Sequence, residues 1–304
     1  MKATRFIRRA ALAAVLAAAA LGIVGAAAVP AASSPTCLGE RATIVGTDGN
    51  DVIAGTGDDD VIVALGGDDQ VSGKGGFDLI CGGDGNDTLT ANAGGSSFLD
   101  VGIISGEAGD DHIQADPDAL VMADYEDSPA AVSVDLAAGT ATGWGNDTLS
   151  GVEFVFGSRF DDSLTGSART NALAGSAGND VLSAGGGADL LLGGPGNDTI
   201  DGGQGRDEAD YEAAAGGVRV NLATGRATGE GLDRLTSIET VEGSSHADVL
   251  IGGRRADNLE GLGGRDRLAG GAGRDRLIGG PGRDRADGGP ARDVCRAEKT
   301  IHCP

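Results

Sequence analysis

The nine residues from Gly82 to Thr90 read GGDGNDTLT, and the same pattern recurs at a fixed spacing along the chain. Counting back from Gly82 in steps of nine gives GKGGFDLIC, ALGGDDQVS, GTGDDDVIV and GTDGNDVIA, so five nonapeptides follow one another without a gap from Gly46. The sixth position of every nonapeptide is Asp, and the eighth is a branched aliphatic residue. A short fixed period of this kind indicates a repeat architecture in which each repeat packs on its neighbours.

The pattern returns in two longer arrays. A lone nonapeptide, GEAGDDHIQ, spans Gly106–Gln114, and unbroken arrays of six nonapeptides span Gly157–Asp210 and Gly243–Arg296. An insert precedes each of these arrays, and the insert that begins at Tyr125 aligns without gaps on the one that begins at Tyr211. Alternation in VSVDL and VRVNL, followed by a small-residue turn, predicts a short strand pair in each insert. We therefore expect the inserts to stack on the same ladder as the arrays.

The beginning of the chain differs from the repeats in composition. Four basic residues precede an Ala-rich apolar run, and small residues follow it at 26–28. This layout predicts a signal peptide over residues 1–32, and an uncleaved membrane anchor is the alternative because the run approaches the length that spans a bilayer. The rest of the chain is expected to form three segments, 37–114 with an N-terminal cap and the first array, 115–210 with the first insert and second array, and 211–304 with the second insert, third array and a C-terminal disulfide cap.

The composition limits both the core and the partners of this protein. Of 304 residues 56 are Gly, and aromatic residues make up only 3%, so an ordinary side-chain core is hard to build. The formal net charge is −23. Such a charge disfavours nonspecific nucleic-acid binding and favours cations as partners.

Four cysteines follow the predicted leader, at Cys37, Cys81, Cys295 and Cys303. In an oxidising compartment, disulfides are the default expectation. We expect the pairs Cys37–Cys81 and Cys295–Cys303, because each would then hold one end of the repeat stack. A zinc site is the weaker alternative, since no C-x-x-C spacing exists.

The nonapeptide itself predicts a metal site. Its Gly-rich first six positions suit a tight turn with positive φ, and its last three suit a very short strand with one side chain facing inward. If two nonapeptides make one coil, coils stack about 4.8 Å apart and Asp residues eighteen apart lie above one another. Adjacent loops then offer carboxylates and main-chain carbonyl groups, the hard oxygen ligands that Ca²⁺ prefers. Folding and calcium binding should therefore be one equilibrium.

The pattern GGxGxDxUx, with U a large aliphatic residue, closely resembles that of the RTX (haemolysin-type) nonapeptide-repeat calcium-binding proteins of the secreted bacterial type. The resemblance covers about residues 41–296. It implies an all-β fold, a right-handed parallel β-roll (β-solenoid) of stacked nonapeptides with short β inserts, whose loops bind multiple Ca²⁺ ions. The candidate metal ligands that it implies are Asp51, Asp60, Asp69, Asp78, Asp87, Asp111, Asp162, Asn171, Asp180, Asp189, Asp198, Asp207, Asp248, Asp257, Asp266, Asp275, Asp284 and Asp293.

Some positions depart from the regular repeat. Asn171 replaces the sixth-position Asp, and Ala209 and Ala286 thin the expected core. In the third array, Arg stands on both sides of Asp in GGRDRLAG and GGPGRDRA, and we expect these guanidinium groups to neutralise part of the carboxylate charge. The first array instead has ten acids against a single base, so we expect it to depend more strongly on calcium.

The sequence offers little for catalysis. Neither an H-E-x-x-H nor a G-x-S-x-G motif is present, so we expect no enzyme. Glu153 and Glu239 are acids off the period, and we interpret them as hydrogen-bonded corners or extra calcium ligands. Tyr125 and Tyr211 are expected to pack within the inserts.

These features together predict a secreted, extracellular calcium-binding protein that serves as a structural or interaction module. The alternatives are a calcium-dependent surface adhesin or polysaccharide-binding protein and, less favoured, a non-catalytic remnant or partner of a secreted RTX enzyme. The expected partners are calcium ions and an extracellular polysaccharide or cell-surface component. We expect no nucleic acid as a partner and no membrane span after signal cleavage.

Overall fold

The computed structural model describes residues 35–91, 101–116 and 119–303. Every regular element in these ranges is a β-strand, which confirms the all-β fold. No helix in the same ranges is long and apolar enough to cross a membrane. The predicted signal peptide, residues 1–32, lies outside the described residues.

The strands are short, because each nonapeptide leaves only its last three positions for extended chain. The first eleven strands are β1 (Thr36–Cys37), β2 (Glu40–Arg41), β3 (Ile44–Val45), β4 (Val52–Ala54), β5 (Val61–Val63), β6 (Gln70–Ser72), β7 (Leu79–Asp84), β8 (Thr88–Ala91), β9 (Val101–Ala108), β10 (His112–Ala115) and β11 (Leu120–Asp124). The next twelve are β12 (Ser133–Asp135), β13 (Thr140–Thr142), β14 (Asn146–Ser150), β15 (Phe154–Phe156), β16 (Ser163–Thr165), β17 (Ala172–Ala174), β18 (Val181–Ser183), β19 (Gly186–Gly187), β20 (Leu190–Leu192), β21 (Thr199–Asp201), β22 (Gln204–Gly205) and β23 (Glu208–Asp210). The last eleven are β24 (Arg219–Asn221), β25 (Arg226–Thr228), β26 (Leu232–Thr236), β27 (Thr240–Glu242), β28 (Val249–Ile251), β29 (Asn258–Glu260), β30 (Arg267–Ala269), β31 (Arg276–Ile278), β32 (Arg285–Asp287), β33 (Val294–Arg296) and β34 (Lys299–Ile301).

The chain divides into two compact regions. The first compact region holds the described residues up to Asp127 together with Gly139–Phe154. It has two parallel ladders, β3-β5-β7-β9-β11 and β4-β6-β8-β10-β14. In the array, Ile53 pairs with Val71 and Val71 pairs with Leu89, so the register advances by eighteen residues per coil. This offset confirms that two nonapeptides make one coil of a β-roll.

The second compact region holds Ser128–Ala138 together with the residues from Val155 onward. One ladder runs β17-β20-β23-β27-β29-β31-β33, and every pairing in it is parallel. The other contains the parallel runs β12-β16-β18-β21-β26 and β24-β28-β30-β32-β34. Antiparallel pairs β24–β25 and β25–β26 join these two runs. The second insert therefore forms the predicted strand pair within the ladder.

The core is built from the eighth position of each nonapeptide. Its side chain points inward, and Ile80, Leu89, Leu182 and Leu250 are fully buried in this way. Burial of one such side chain contributes about 1.5–3 kcal/mol, which is small against the cost of ordering nine residues. Ala209 and Ala286 occupy the same inward position, so the core thins where the sequence predicted it.

Both insert tyrosines are buried, as expected for insert packing. Tyr125 is 2% exposed and Tyr211 is 3% exposed. Their hydroxyl groups form hydrogen bonds that belong to the metal-site geometry described below.

Two disulfides hold the ends of the described repeats. Cys37 on β1 is bonded to Cys81 on β7, and Cys295 on β33 is bonded to Cys303. These are the predicted pairs, and they consume all four thiols, so the zinc alternative is wrong. The first pair closes a loop of 44 residues in sequence separation, which restricts the unfolded chain more than the second, with a separation of 8.

Candidate metal centre

The sixth-position residues form hydrogen-bonded rows along the edges of the ladders. In each row the Oδ1 atom of one Asp accepts the main-chain N–H of the sixth-position residue eighteen places earlier, as in Asp69 with Asp51 at 2.7 Å and Asp266 with Asp248 at 2.9 Å. The bonded pairs are 51–69, 60–78, 69–87, 162–180, 171–189, 180–198, 189–207, 248–266, 257–275, 266–284 and 275–293. The eighteen-residue spacing predicted that these residues would lie above one another.

The lone nonapeptide extends the first row. Asp111 accepts the N–H of Asp87 at 2.9 Å, although 24 residues separate them. Of the eighteen candidate ligands, all are buried except Asp51, which is half-buried. The structure therefore brings every candidate ligand to a row, and it buries carboxylates that would ordinarily face water.

At nine positions of the rows, the second carboxylate oxygen lacks a hydrogen-bond donor among the described residues. Within the described residues, no hydrogen-bond donor contacts the buried Oδ2 atom of Asp69, Asp87, Asp111, Asp180, Asp198, Asp266, Asp275, Asp284 or Asp293. Buried polar atoms are normally satisfied. A row of unsatisfied carboxylate oxygens is an arrangement that a cation would stabilise.

Glycine at the first position makes room for these oxygens. A Cβ at Gly82 would collide with Oδ2 of Asp87 and would lie 2.8 Å from the carbonyl oxygen of Gly106 on the next coil. At Gly175 the same position collides with Oδ2 of Asp180 and lies 2.8 Å from a carbonyl oxygen. Carboxylate and carbonyl oxygens thus converge on one space with no side chain in it, and this donor set fits Ca²⁺.

Burial raises the pKa of the row carboxyl groups. Burial, with a smaller contribution from neighbouring carboxylates, raises the pKa of Asp87 to about 6 and that of Asp180 and Asp266 to about 7, although the main-chain N–H that each accepts lowers it. Without a bound cation, the charged form of these groups is therefore less favourable in the folded protein than in water. A bound cation would offset both the desolvation and the mutual repulsion.

Two members of the rows were missed by the sequence interpretation. Asp147 and Asp233 are the sixth positions of TGWGNDTLS and TGEGLDRLT, which lie inside the inserts. Asp147 accepts the N–H of Asp111 at 3.1 Å, and Asp233 accepts that of Asp198 at 3.3 Å. Thr in place of Gly at the first position hides the pattern, but the G-x-D-x-L spacing was a usable signal.

Glutamates end two other rows. Glu239 accepts the N–H of Asp207 at 3.3 Å and forms an ion pair of 3.1 Å with Arg255, which confirms its interpretation as a hydrogen-bonded corner. Glu298 accepts the N–H of Asp284 at 2.6 Å, a contact that the sequence did not predict. For Glu153, which donates its main-chain N–H to the carbonyl of Val121, a role as calcium ligand stays a prediction.

A further acidic group lies on strands β23 and β27. Glu208, Asp210 and Glu242 each offer a carboxylate oxygen within 4.8 Å of the others. The sequence interpretation missed it, because these residues flank the buried residues Ala209 and Val241 on their strands and do not occupy the sixth position of the repeat.

The comparison with known proteins agrees with this geometry. The family model described as RTX calcium-binding nonapeptide repeat (4 copies) matches residues 45–80, 72–95, 174–209, 242–277 and 260–295. The chain therefore carries RTX calcium-binding nonapeptide repeats over these residues, and proteins with such repeats are typically secreted and generally non-catalytic. No curated protein sequence matches the chain.

Proposed function

We propose that this protein is a secreted, non-catalytic calcium-binding module that folds on binding several Ca²⁺ ions and serves outside the cell as a structural or interaction element. One observation carries the proposal, namely the rows of buried carboxylate oxygens that face main-chain carbonyl groups and have no hydrogen-bond donor. The RTX family match supports calcium as the ion.

The sixth-position residues would hold the ions, together with loop carbonyl groups of the adjacent coil. When bound, Ca²⁺ supplies positive charge that neutralises carboxylates of successive coils. The protein itself positions the oxygen ligands. The Asp Oδ1 atoms accept ladder N–H groups and so fix each carboxylate, while the first-position glycines keep the space between coils open.

A calcium titration followed by far-ultraviolet circular dichroism tests this function. We expect little β-structure in chelator and a cooperative gain at roughly 0.1–1 mM Ca²⁺, the range of extracellular modules. Magnesium is the matched control and should not replace calcium, because it demands a smaller octahedral site and retains its waters. Equal β-structure with and without chelator would contradict the proposal.

A second candidate function is binding of an anionic extracellular polysaccharide by the third array. Arg267, Arg285 and Lys299 lie in register on β30, β32 and β34. Arg265 and Arg283 lie in the loops before β30 and β32, and all five exposed side chains line one groove. Within the described residues, none of the five forms an ion pair or a side-chain hydrogen bond. We call this surface the arginine face.

An extended anionic chain suits the arginine face, because its cations repeat along a straight ladder at about one strand spacing, ~4.8 Å. Single-stranded nucleic acid is disfavoured, since stacking needs aromatic side chains and none lines this groove.

Binding to a soluble polyuronate in calcium-containing buffer of low salt tests the second candidate. The double variant Arg267→Glu/Arg285→Glu should lose most of the binding. Arg274→Glu/Arg292→Glu changes the charge equally in the same array but outside the arginine face, and it should retain binding. An equal loss in both variants would show that only net charge matters and would reject the arginine face.

A further inference from the structure

In the first coil of each array, main-chain N–H groups of the loop donate hydrogen bonds to the sixth-position side chain of the same nonapeptide. Oδ2 of Asp51 accepts the N–H of Thr47 at 2.6 Å, and Oδ2 of Asp248 accepts that of Ser244 at 2.8 Å. The same loop contact recurs at the sixth position of the first two nonapeptides in every array, in Asp60, Asp162, Asn171 and Asp257. In Asp51, Asp162, Asp248 and Asp257, a main-chain donor thus contacts the carboxylate oxygen that has no donor among the described residues at the next position of the same row.

The far end of two rows is satisfied by a tyrosine. The hydroxyl of Tyr125 donates to Oδ2 of Asp147 at 2.9 Å, and the hydroxyl of Tyr211 donates to Oδ2 of Asp233 at 3.2 Å. Both aspartates are buried, as are both tyrosines. The two inserts build this contact independently, so it recurs in each compact region.

The local sequence explains why these two positions need a different partner. The first position of their nonapeptides is Thr142 or Thr228, whereas the inner nonapeptides have glycine there, apart from Ala64 and Ala184. At Gly193, for example, a Cβ would occupy the space into which the carboxylate of Asp198 turns. In the ladder, β14 also pairs with the antiparallel strand β13, and β26 with the antiparallel strand β25. The stack of repeating loops therefore ends at β14 and at β26.

We infer that calcium occupies only the inner positions of these two rows. Loop N–H groups donate to the carboxylate in the first coil, and the tyrosine hydroxyl donates to the carboxylate at the last position, so neither end of a row binds an ion. The inference rests on calcium binding by the repeats, as proposed above. An oxygen that already accepts a hydrogen bond directed at it does not also face a cation in that direction, because donor hydrogens and cations carry charge of the same sign.

The amide at Asn171 agrees with this assignment. It is the single sixth-position amide among the candidate ligands, and it lies in the first coil of the second array, where its Oδ1 accepts the N–H of Ser167 at 2.7 Å. A neutral amide suffices at a position that binds a donor, whereas a position that binds Ca²⁺ gains from the negative charge.

Counting bound calcium in single variants tests the inference. At saturating calcium, native mass spectrometry of Asp233→Asn should show the same number of ions as the unchanged protein. Asp198→Asn, at the preceding position of the same row, should lose at least one ion. Asp147→Asn and Asp111→Asn form the equivalent pair in the first compact region, so that failure of one variant to fold leaves the test intact.

Replacing a tyrosine tests the same inference through an expected gain of calcium. Tyr211→Phe removes only the donor oxygen, leaves Oδ2 of Asp233 without that hydrogen bond, and should gain one ion. Ser128→Ala is the control, because it removes another hydrogen bond of an insert, to the carbonyl of Ala130, without touching a row. An unchanged ion count in Tyr211→Phe, or equal losses in Asp233→Asn and Asp198→Asn, would overturn the inference. If the unchanged protein binds no calcium at all, the proposed function fails instead.

Discussion

Replacing Asp69 with alanine is expected to leave the first array unfolded at calcium concentrations that keep the unchanged protein folded. Asp69 is fully buried, its Oδ1 accepts the N–H of Asp51, and its Oδ2 has no hydrogen-bond donor among the described residues. The variant leaves a donor without its partner, which costs about 1–3 kcal/mol, and it removes an oxygen ligand. We therefore expect the calcium midpoint of the first array to rise by roughly tenfold or more, since 1.4 kcal/mol corresponds to one factor of ten.

Hydrogen exchange during a calcium titration measures this effect, because it follows the arrays separately. Asp69→Asn is the matched variant, since it keeps the Oδ1 acceptor and removes only the charge. Its midpoint should lie between those of Asp69→Ala and the unchanged protein. An unchanged midpoint in Asp69→Ala would contradict the assignment of the row as the metal centre.

The same substitution in the third array should have a comparable effect. The sequence suggested that Arg265 and Arg267 compensate the charge of Asp266. In the structure both arginines are exposed, and solvent screens their effect on the buried row. Burial and the carboxylates of Asp284 and Asp248 keep the pKa of Asp266 near 7. The structure therefore favours similar calcium midpoints for the two arrays, and the stronger calcium dependence of the first array stays a prediction that the same titration tests.

The features that the sequence predicted well are those fixed by its period. The pairing of Ile53 with Val71 and the stacking of Asp69 on Asp51 follow from a nine-residue repeat with two nonapeptides per coil. The disulfide partners followed from the position of the cysteines at the ends of the stack. In each case, one local pattern repeated along the chain determines the distant contact.

The contacts that the sequence did not predict join residues that the nine-residue repeat does not relate. Tyr125 and Asp147 are 22 residues apart, and the antiparallel strand β13 lies between them, so no repeat relates the hydroxyl to the carboxylate. Glu298 replaces a sixth-position Asp beyond the last nonapeptide and reaches Asp284 from a different loop. These contacts at the ends of the rows depend on the particular insert or cap, and the repeat does not determine the geometry of either.

Gly82→Ala is expected to raise the calcium midpoint of the surrounding coils strongly. Gly82 is buried and has ordinary backbone geometry, so the effect of a methyl group is steric. Its Cβ would collide with Oδ2 of Asp87 and crowd the carbonyl oxygen of Gly106, and these are the two oxygens between which we place an ion. Overpacking of a close-packed interior costs about 1–3 kcal/mol, and the displaced carboxylate removes ion binding in addition.

Gly57→Ala in the same array distinguishes this steric cause from a general effect of glycine replacement. Gly57 is exposed, and nothing lies within 4 Å of the Cβ that would be added. It also has no positive φ, so alanine should be neutral or stabilise by about 0.4–1 kcal/mol through the unfolded chain. Calcium titrations of both variants, followed by circular dichroism, should give a midpoint near that of the unchanged protein for Gly57→Ala and a much higher one for Gly82→Ala. Equal midpoints would mean that the space beside residue 82 holds no ion, because a methyl group could then occupy it without consequence for calcium.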